Sequence, residues 1–453
     1  MAHFAAIPSP FPSHVKAFEA LCSELLARGH AVSWVQQADV AGLLQERRIG
    51  FHAVGAASHP PGTLARIVAR AARPGGFFGL RRVILDVAEA TDMLCTEAAP
   101  VLRSLAPDMV LADQMEAAGG LLARALRLPF VSVACALPVD REAGVPLPVM
   151  PFGYADSEQA RQRNEGSARV YDWLMAPHAR VIERHARAFG LGRLATLADC
   201  VSPLLEVSQT TAAFDFPRAS PPPQLQHVGP LRPTEASDGA LPWPIGPERP
   251  FVFCSFGTLQ GGRLGLFRRV ARACRAAGAQ LLVAHCGGLD AAQQAALRAD
   301  GADWVTDFAP QQAAIARADV VITHGGLNTV MDSLAAGKPM LVLPIAFDQP
   351  GVAARVVHGG AGLRLLPPLA SSHRLKLALQ RLLAEPEFGL AAARLGESIA
   401  RSGGTRRAAD LIERCLAEQE EPQQAQQQQR QTVPLSALQA ARAGAATEAV
   451  HAV

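Results

Sequence analysis

The chain has 453 residues, a formal net charge of +3 at pH 7 and 49% hydrophobic residues. At about 100–200 residues per domain, this length predicts two or three domains with sizeable cores. The near-neutral charge argues against nucleic acid as a partner, and no apolar run reaches the ~18 residues that a membrane-spanning helix needs.

The amino terminus and the cysteines indicate the cellular compartment. MAHFAAIPSPFPSHV lacks a charged leader before an apolar core, so the sequence predicts no signal peptide. The eight cysteines are scattered, without a Cys-x-x-Cys pair, which is typical of reduced core residues. We therefore expect a cytoplasmic protein.

The first half of the chain alternates predicted strands and helices. Residues 3–8 predict a strand, and residues 13–28 predict a helix whose apolar side chains recur on one face until Gly29 ends it. Further apolar strands are predicted at 31–35, 107–112 and 128–136. This order is typical of a parallel sheet covered by helices.

The pattern is interrupted once and then begins again. Residues 217–250 contain ten prolines and few apolar runs, a composition that favours an interdomain linker. A strand at 251–255, a turn that includes Thr258 and a helix at 264–277 follow. We predict an α/β protein with two facing doubly wound (Rossmann-like) domains, residues 1–216 and 251–394, with a ligand between them.

The second domain contains a candidate phosphate site. Residues 320–323 predict a strand buried on both faces, which breaks at His324-Gly325-Gly326 before a helix at 327–336. A helix start offers unpaired N–H groups and a partial positive charge, and His324, Asn328 and Thr329 add donors that could hold a diphosphate.

Further polar residues follow at the carboxyl ends of the predicted strands, where ligands of open α/β sheets bind. Asp332 could accept from ribose hydroxyls, and Asp348-Gln349, after a strand at 340–345, could bind the vicinal hydroxyls of a sugar. Each piece alone is usually structural, as a glycine junction or a surface turn. Their order and spacing together predict a nucleotide-sugar site.

This segment resembles the donor-binding signature of the UDP-glycosyltransferases (family 1), which have two Rossmann-like domains in the arrangement called GT-B. The matching positions are Phe308 to Gln311, His324 to Thr329, Asp332, and Asp348-Gln349. The resemblance implies that Phe308 stacks on uracil and Gln311 contacts the nucleoside. It also implies that His324, Asn328 and Thr329 hold phosphate oxygens, that Asp332 takes the ribose, and that Asp348 and Gln349 take the hexose. Plant members usually have Trp at 308 and 327 and Glu at 332, where this chain has Phe, Leu and Asp.

A catalytic pair is predicted in the first domain. His14 lies where the loop after the first strand enters the first helix, and Asp113 ends a later strand, so both should lie at the carboxyl edge of one sheet. A histidine oriented by a carboxylate can take a proton from a hydroxyl. From the residues alone, a surface histidine and a capping aspartate remain the alternative.

The family resemblance implies that His14, oriented by Asp113, is the base of an inverting transfer. Thr258, His324 and the helix start would stabilise the negative charge on the leaving diphosphate. We find no carboxylate pair with divalent-metal spacing near this site, and the resembling family works without metal. We therefore predict no metal and no cofactor, with UDP-glucose as co-substrate.

The acceptor is predicted from a narrower resemblance. Residues 113–152 form an apolar, proline-rich segment that suits either a long hydrophobic ligand or packing between the domains. That segment, FAAIPSPFPSHVKAFEAL and SFGTLQGG are similar to the bacterial family members that glucosylate carotenoids, up to about residue 416. This implies transfer of glucose to the two ring hydroxyls of zeaxanthin, and peripheral contact with the inner membrane.

Two rival functions remain at this stage. The acceptor could be another hydrophobic alcohol, such as a macrolide, sterol or flavonoid. The chain could instead be a UDP-sugar epimerase or a nicotinamide dehydrogenase, although the first strand is followed by Pro8-Ser9-Pro10 and lacks the Gly-x-Gly-x-x-Gly turn that cradles pyrophosphate. A binding role without catalysis would leave His14 and Asp113 without a purpose.

The carboxyl-terminal part is predicted to be peripheral. Residues 395–416 predict a helix, and the resemblance implies that it crosses back to the first domain. Residues 417–453 begin with QEEPQQAQQQQRQ and become alanine-rich, a composition that predicts a disordered tail.

Overall fold

A computed structural model describes residues 1–233 and 240–432. The chain divides into two compact units, Met1–Ala409 and Asp410–Val453. The first unit contains two parallel sheets, which confirms the predicted pair of doubly wound domains. Among the described residues, no helix is both long and apolar enough to cross a membrane.

The first domain is built on a seven-stranded sheet in the order β3-β2-β1-β4-β5-β6-β7, with all neighbouring strands parallel. Its core strands are almost fully buried because helices cover both faces. Its elements are β1 (His3–Ile7), α1 (Pro12–Ala27), β2 (Ala31–Gln37), β3 (Gly50–Val54), α2 (Thr63–Ala72), α3 (Phe77–Leu105), β4 (Met109–Asp113), α4 (Ala117–Leu126), β5 (Phe130–Ala134), α5 (Glu158–Ala188), β6 (Glu206–Ser208) and β7 (Leu225–His227), with short 3-10 turns at Ala38–Leu43 and Ala198–Cys200.

The second domain has a six-stranded parallel sheet in the order β10-β9-β8-β11-β12-β13. Helices pack on both faces and form two apolar clusters with the strands. Its elements are β8 (Phe251–Ser255), α6 (Gly257–Gln260), α7 (Leu264–Ala276), β9 (Gln280–Ala284), α8 (Ala291–Asp300), β10 (Trp304–Thr306), α9 (Gln311–Arg317), β11 (Val320–Thr323), α10 (Leu327–Ala335), β12 (Met340–Val342), α11 (Gln349–His358), β13 (Gly362–Arg364), a 3-10 turn at Pro367–Leu369, α12 (Ser372–Ala384) and α13 (Pro386–Ser402).

The predicted boundary of the first domain at residue 216 is too early. β7 lies inside the segment 217–250 and pairs with β6, so the first sheet continues beyond that boundary. A three-residue strand between prolines has too short an apolar pattern to be recognised from sequence. The connection between the two sheets therefore begins after His227, and its residues 234–239 lie outside the described ones.

The helix predicted over 395–416 is two helices. α13 ends at Ser402, Gly403 has a φ of +87°, and α14 (Gly404–Thr432) then begins. The start of α14 lies against the first domain, where the Gly404 N–H donates to the Val228 carbonyl at 2.7 Å. The predicted disordered tail is wrong for residues 417–432, which continue α14, and residues 433–453 lie outside the described part of the chain.

Candidate active site

The predicted contact between His14 and Asp113 is present. His14 Nδ1 lies 2.7 Å from Asp113 Oδ2, because β1 and β4 are neighbouring parallel strands whose carboxyl ends meet at one edge. The Asp113 side chain is fully buried and that of His14 is 14% exposed. This geometry leaves His14 Nε2 as the ring nitrogen available to an incoming hydroxyl.

Asp113 is held firmly by the backbone around it. The Ser9 N–H donates to Oδ2 at 3.2 Å, and the Met115 N–H donates to Oδ1 at 2.9 Å. The carboxylate therefore accepts three hydrogen bonds, all from within the first domain. Such a fixed carboxylate sets the ring orientation of His14 and its tautomer, with the proton on Nδ1.

Asp348 brings a second carboxylate to His14 from the other domain. Burial disfavours the charged imidazole, but the charge of Asp113, its hydrogen bond and the charge of Asp348 raise the pKa of His14 above 6.5. Burial raises the pKa of the Asp348 carboxyl, against the opposing effects of His14 and of the Leu137 N–H. The residue predicted to bind the hexose is thus close to the predicted base.

The ring of His324 packs against Gly257 and Gly326, which leave room for it because they have no side chain. A Cβ on Gly257 would lie 2.9 Å from His324 Cε1, and one on Gly326 would lie 2.7 Å from Cε1 and Nε2. Gly257 also has a φ of +68°, which favours glycine. Burial lowers the pKa of His324 to about 4, although its hydrogen bond to the Ser255 backbone acts in the other direction. His324 is therefore neutral, and its single ring N–H is the donor in the bond to Ser255, so its role at a phosphate stays a prediction.

The start of α10 has no side-chain cap, as the predicted phosphate site requires, and phosphate binding there stays a prediction. Gly326 is its N-cap, and among the described residues no side chain caps the helix, so the first N–H groups remain available to an anion. Thr329 is buried in this first turn. Asn328 instead reaches the first domain, where its Nδ2 donates to the Ser13 carbonyl at 3.1 Å.

Asp332 is engaged by two protein donors. Arg232 Nε donates to Asp332 Oδ1 at 2.9 Å and Gln311 Nε2 donates to Oδ2 at 2.9 Å. Arg232 also donates to the Asn328 carbonyl at 3.0 Å. Each carboxylate oxygen keeps a further lone pair, so the ribose role of Asp332 and the nucleoside role of Gln311 stay predictions.

Arg232 was not predicted as a site residue. It lies in the proline-rich segment, which composition indicated to be a connector. Its partners in the second domain, Asp332 and Asn328, are 100 and 96 residues away in sequence, so no local pattern links them to it. The available signal is the short sequence Pro230-Leu231-Arg232-Pro233, a cation between prolines in a segment that joins the two domains.

The remaining predicted donor residues surround this centre. Phe308 is 68% exposed after β10, as a stacking platform for a base requires. Thr258 is exposed in the short helix α6. Gln349 is buried, and its carbonyl oxygen accepts from the N–H groups of Ile345 and Ala346 at 2.9 and 2.8 Å, so only its amide NH₂ is left for a sugar.

The segment 113–152 packs between the domains over part of its length. Leu137 belongs to an apolar cluster of the second domain, and Val145 packs with Ala354 of α11. A Cβ on Gly351 would lie 2.0 Å from the Pro148 carbonyl oxygen. These contacts favour the packing interpretation for residues 137–148.

One group of side chains has a metal-like arrangement. Potential ligand atoms of His14, Asp113 and Cys135 lie within 4.8 Å of one another. Burial raises the pKa of the Cys135 thiol well above its usual range, so it stays protonated, whereas metals bind the thiolate. A metal here would also compete with the hydrogen bond that orients His14. The absence of a metal from the reaction stays a prediction.

Two doubly wound domains, with the His14–Asp113 pair in one and an uncapped helix start in the other, have the architecture of GT-B glycosyltransferases. Residues 268–414 match the family described as Glycosyltransferase family 28 C-terminal domain. The crystal structure of the kitacinnamycin glycotransferase superimposes with a TM-score of 0.72, at 24% identity, over 92% of this chain and 99% of that one.

Two relatives are similar over nearly the whole chain. The zeaxanthin glucosyltransferase of Pantoea ananas is 46% identical over 92% of this chain and 96% of that protein. The zeaxanthin glucosyltransferase of Pseudescherichia vulneris is 42% identical over 93% of this chain and 99% of that protein. The chain belongs to the same glycosyltransferase family as these two enzymes, and it is a hexosyltransferase that uses a nucleotide-sugar donor and an acceptor.

Proposed function

We propose that this enzyme transfers glucose from UDP-glucose to the two ring hydroxyls of zeaxanthin, giving the mono- and then the diglucoside. The observation that carries the proposal is the His14–Asp113 pair, 2.7 Å apart, next to the Asp348 carboxylate of the facing domain. The names of the two relatives support the carotenoid acceptor. The matched donor segment supports a uridine nucleotide.

In the proposed reaction, His14 Nε2 takes the proton from the acceptor hydroxyl while Nδ1–H remains bonded to Asp113. The hydroxyl oxygen forms a bond to the anomeric carbon as the bond from that carbon to the diphosphate breaks. The electron pair leaves with UDP, and attack opposite to the leaving group inverts the configuration. The Asp113 carboxylate stabilises the imidazolium that forms.

In this proposal, neutral hydrogen-bond donors stabilise the negative charge that develops on UDP. The free N–H groups at the start of α10 and the exposed hydroxyl of Thr258 are proposed to hold the phosphate oxygens. His324 is proposed to donate the single N–H of its neutral ring to a phosphate oxygen in place of the Ser255 backbone. No metal and no further cofactor takes part in this proposal.

The hexose is proposed to lie between Asp348 and the Gln349 amide NH₂. Asp348 would accept from sugar hydroxyls at a position adjacent to His14, which places the anomeric carbon beside the base. Phe308 is proposed to stack on the uracil from its exposed position, and Gln311 to contact the nucleoside. Asp332 is proposed to accept from the ribose with the lone pairs that Arg232 and Gln311 leave.

A carotenoid acceptor is dissolved in the lipid bilayer. We therefore propose that the enzyme works at the inner face of the membrane, as a peripheral protein that extracts one end of the acceptor.

The test is mass spectrometry of detergent-solubilised zeaxanthin after incubation with UDP-glucose, the purified protein and EDTA. The expected result is the gain of one and then two hexose units. UDP-galactose and dTDP-glucose serve as matched donors. Products with either donor but not with UDP-glucose would overturn the donor assignment, and transfer to other hydrophobic alcohols but not to zeaxanthin would overturn the acceptor assignment.

A further inference from the structure

The beginning of α3 and the middle of α5 expose three aromatic rings side by side. Phe78 is 84% exposed, Trp173 65% and Phe77 48%. Phe77 stacks on Trp173 with ring centroids 5.9 Å apart, and Phe77 and Phe78 are in edge contact at 5.7 Å. Single exposed apolar residues are ordinary, but a continuous aromatic surface of this kind marks an interaction site.

Four arginines surround these rings. Arg81 and Arg82 follow the two phenylalanines on α3, and Arg169 and Arg180 lie one to two turns from Trp173 on α5; all four are exposed. In the part of the chain that the structure describes, none of their guanidinium groups takes part in a hydrogen bond or an ion pair. Arg70 nearby differs, because it is paired with Asp86. The surface is thus aromatic at its centre and carries unneutralised positive charge at its edge.

We propose that this surface, Phe77, Phe78 and Trp173 with Arg81, Arg82, Arg169 and Arg180, docks the enzyme on an anionic phospholipid bilayer. Aromatic side chains prefer the boundary between headgroups and acyl chains. Arginines beside them pair with the phosphates of anionic lipids. A protein partner would have to supply acidic groups at four separated positions around one apolar centre, whereas a headgroup layer offers them everywhere.

The position of the surface suits an acceptor that comes from the bilayer, and this step rests on the proposed function. The segment between α2 and α3 contacts the second domain: Arg73 donates to the Gly262 carbonyl and Arg263 donates to the Ala72 carbonyl, each at 2.8 Å. Gly262 follows the turn that contains Thr258. The docking surface therefore begins four residues from the contact between the domains, beside the cleft.

The experiment is co-sedimentation of the full chain with vesicles of phosphatidylcholine and phosphatidylglycerol, compared with phosphatidylcholine alone. We expect binding to the anionic vesicles that falls as salt is raised. The variant F78A/W173A should lower the partition coefficient by at least about tenfold, and R81Q/R82Q should lower it roughly fivefold for each arginine.

The matched control is L390A/R394Q on α13. Leu390 is 60% exposed and Arg394 is exposed one turn later, so this pair removes the same kinds of group from the second domain. It should bind vesicles as the unmodified protein does. Absence of binding to anionic vesicles, or equal losses in the control and the docking variants, would overturn the proposal. Thermal unfolding of each variant establishes that it is folded.

Two further measurements distinguish docking on lipid from a subunit contact and from a catalytic role of the same residues. Sedimentation velocity without lipid should show the same mass for the unmodified protein and F78A/W173A; a change from dimer to monomer would make the surface a subunit contact and overturn the proposal. Transfer to detergent-solubilised acceptor should be unchanged in F78A/W173A, while transfer to acceptor in vesicles should fall about tenfold. If no variant glycosylates zeaxanthin, the proposed function fails, but the vesicle-binding result still decides the docking surface.

Discussion

Replacing Asp113 with asparagine removes the charge that orients His14 while keeping the shape of the side chain. At 2.7 Å, a carboxylate and an imidazolium attract each other by about 6 kcal/mol at an effective dielectric constant of roughly 20. The amide dipole of asparagine would retain part of this attraction, so a net loss of about 3 kcal/mol, or roughly two orders of magnitude in rate, is expected from charge alone.

The hydrogen bonds add to this loss. If the asparagine oxygen faces Ser9 and His14, its NH₂ group faces the Met115 N–H, where two donors oppose each other. If the amide is reversed, the NH₂ group faces His14 Nδ1 and favours the tautomer with its proton on Nε2, which cannot act as the base. The total expected reduction in kcat is about 10³- to 10⁴-fold, as for the same change in a Ser-His-Asp triad.

The assay is the initial rate of glucoside formation over a range of pH, with UDP affinity measured by calorimetry. The base must be neutral, and the pKa of His14 is raised above 6.5, so the acid limb of kcat/KM should lie above pH 6.5 in the unmodified enzyme. Loss of the Asp113 charge should move that limb to lower pH. The control D199N also removes a carboxylate that accepts two backbone N–H groups, and it should leave both rate and limb unchanged. A rate for D113N within about threefold of normal, with an unmoved acid limb, would refute the reasoning.

Four other substitutions test the rest of the site. His14→Ala should lower turnover by roughly two to four orders of magnitude while UDP still binds in calorimetry; near-normal turnover would remove His14 from the role of base. Asp348→Asn or Gln349→Ala should raise the KM for UDP-glucose more than the Kd for UDP, and equal losses would mean that the hexose lies elsewhere. Arg232→Gln should weaken UDP binding by about tenfold, because it frees Asp332 to repel the diphosphate and removes hydrogen bonds to a charged group; unchanged affinity would make Arg232 only a structural link.

The strand and helix pattern was predictable wherever an element carried a long apolar signal. The positions of β1, α1, β8 and β11 agree with the sequence to within one or two residues. The strand predicted over 340–345 is shorter and ends at Val342, because Pro344 cannot donate to a sheet. β7 was not predicted, because its three residues are too few to show a periodic apolar pattern.

The predictable part of the site is the part in which the order of strands in one sheet brings two residues together. His14 and Asp113 are 99 residues apart, but both follow strands of one parallel sheet, and carboxyl ends of such strands meet. The proximity of His14 and Asp348 depends on the orientation of the two domains relative to each other. The sequence pattern of either domain does not predict that orientation. Arg232 was missed for the same reason, because its contacts with Asp332 and Asn328 are made across the two domains.

Both domains contribute side chains to the proposed active site in the cleft. His14, the proposed base, and Asp113 belong to the first domain, and the second carboxylate, Asp348, comes from the loop before α11. The same helix carries Arg355, which is buried against Asp215 of the first domain at 2.7 Å. Breaking a buried pair of this kind leaves an uncompensated charge, so this contact holds α11 in its orientation. Asp348 contributes to the raised pKa of His14 only while the second domain lies against the first. The electrostatic surroundings of the proposed base therefore include groups from both domains, and the contact between Arg355 and Asp215 keeps the group from the second domain in place.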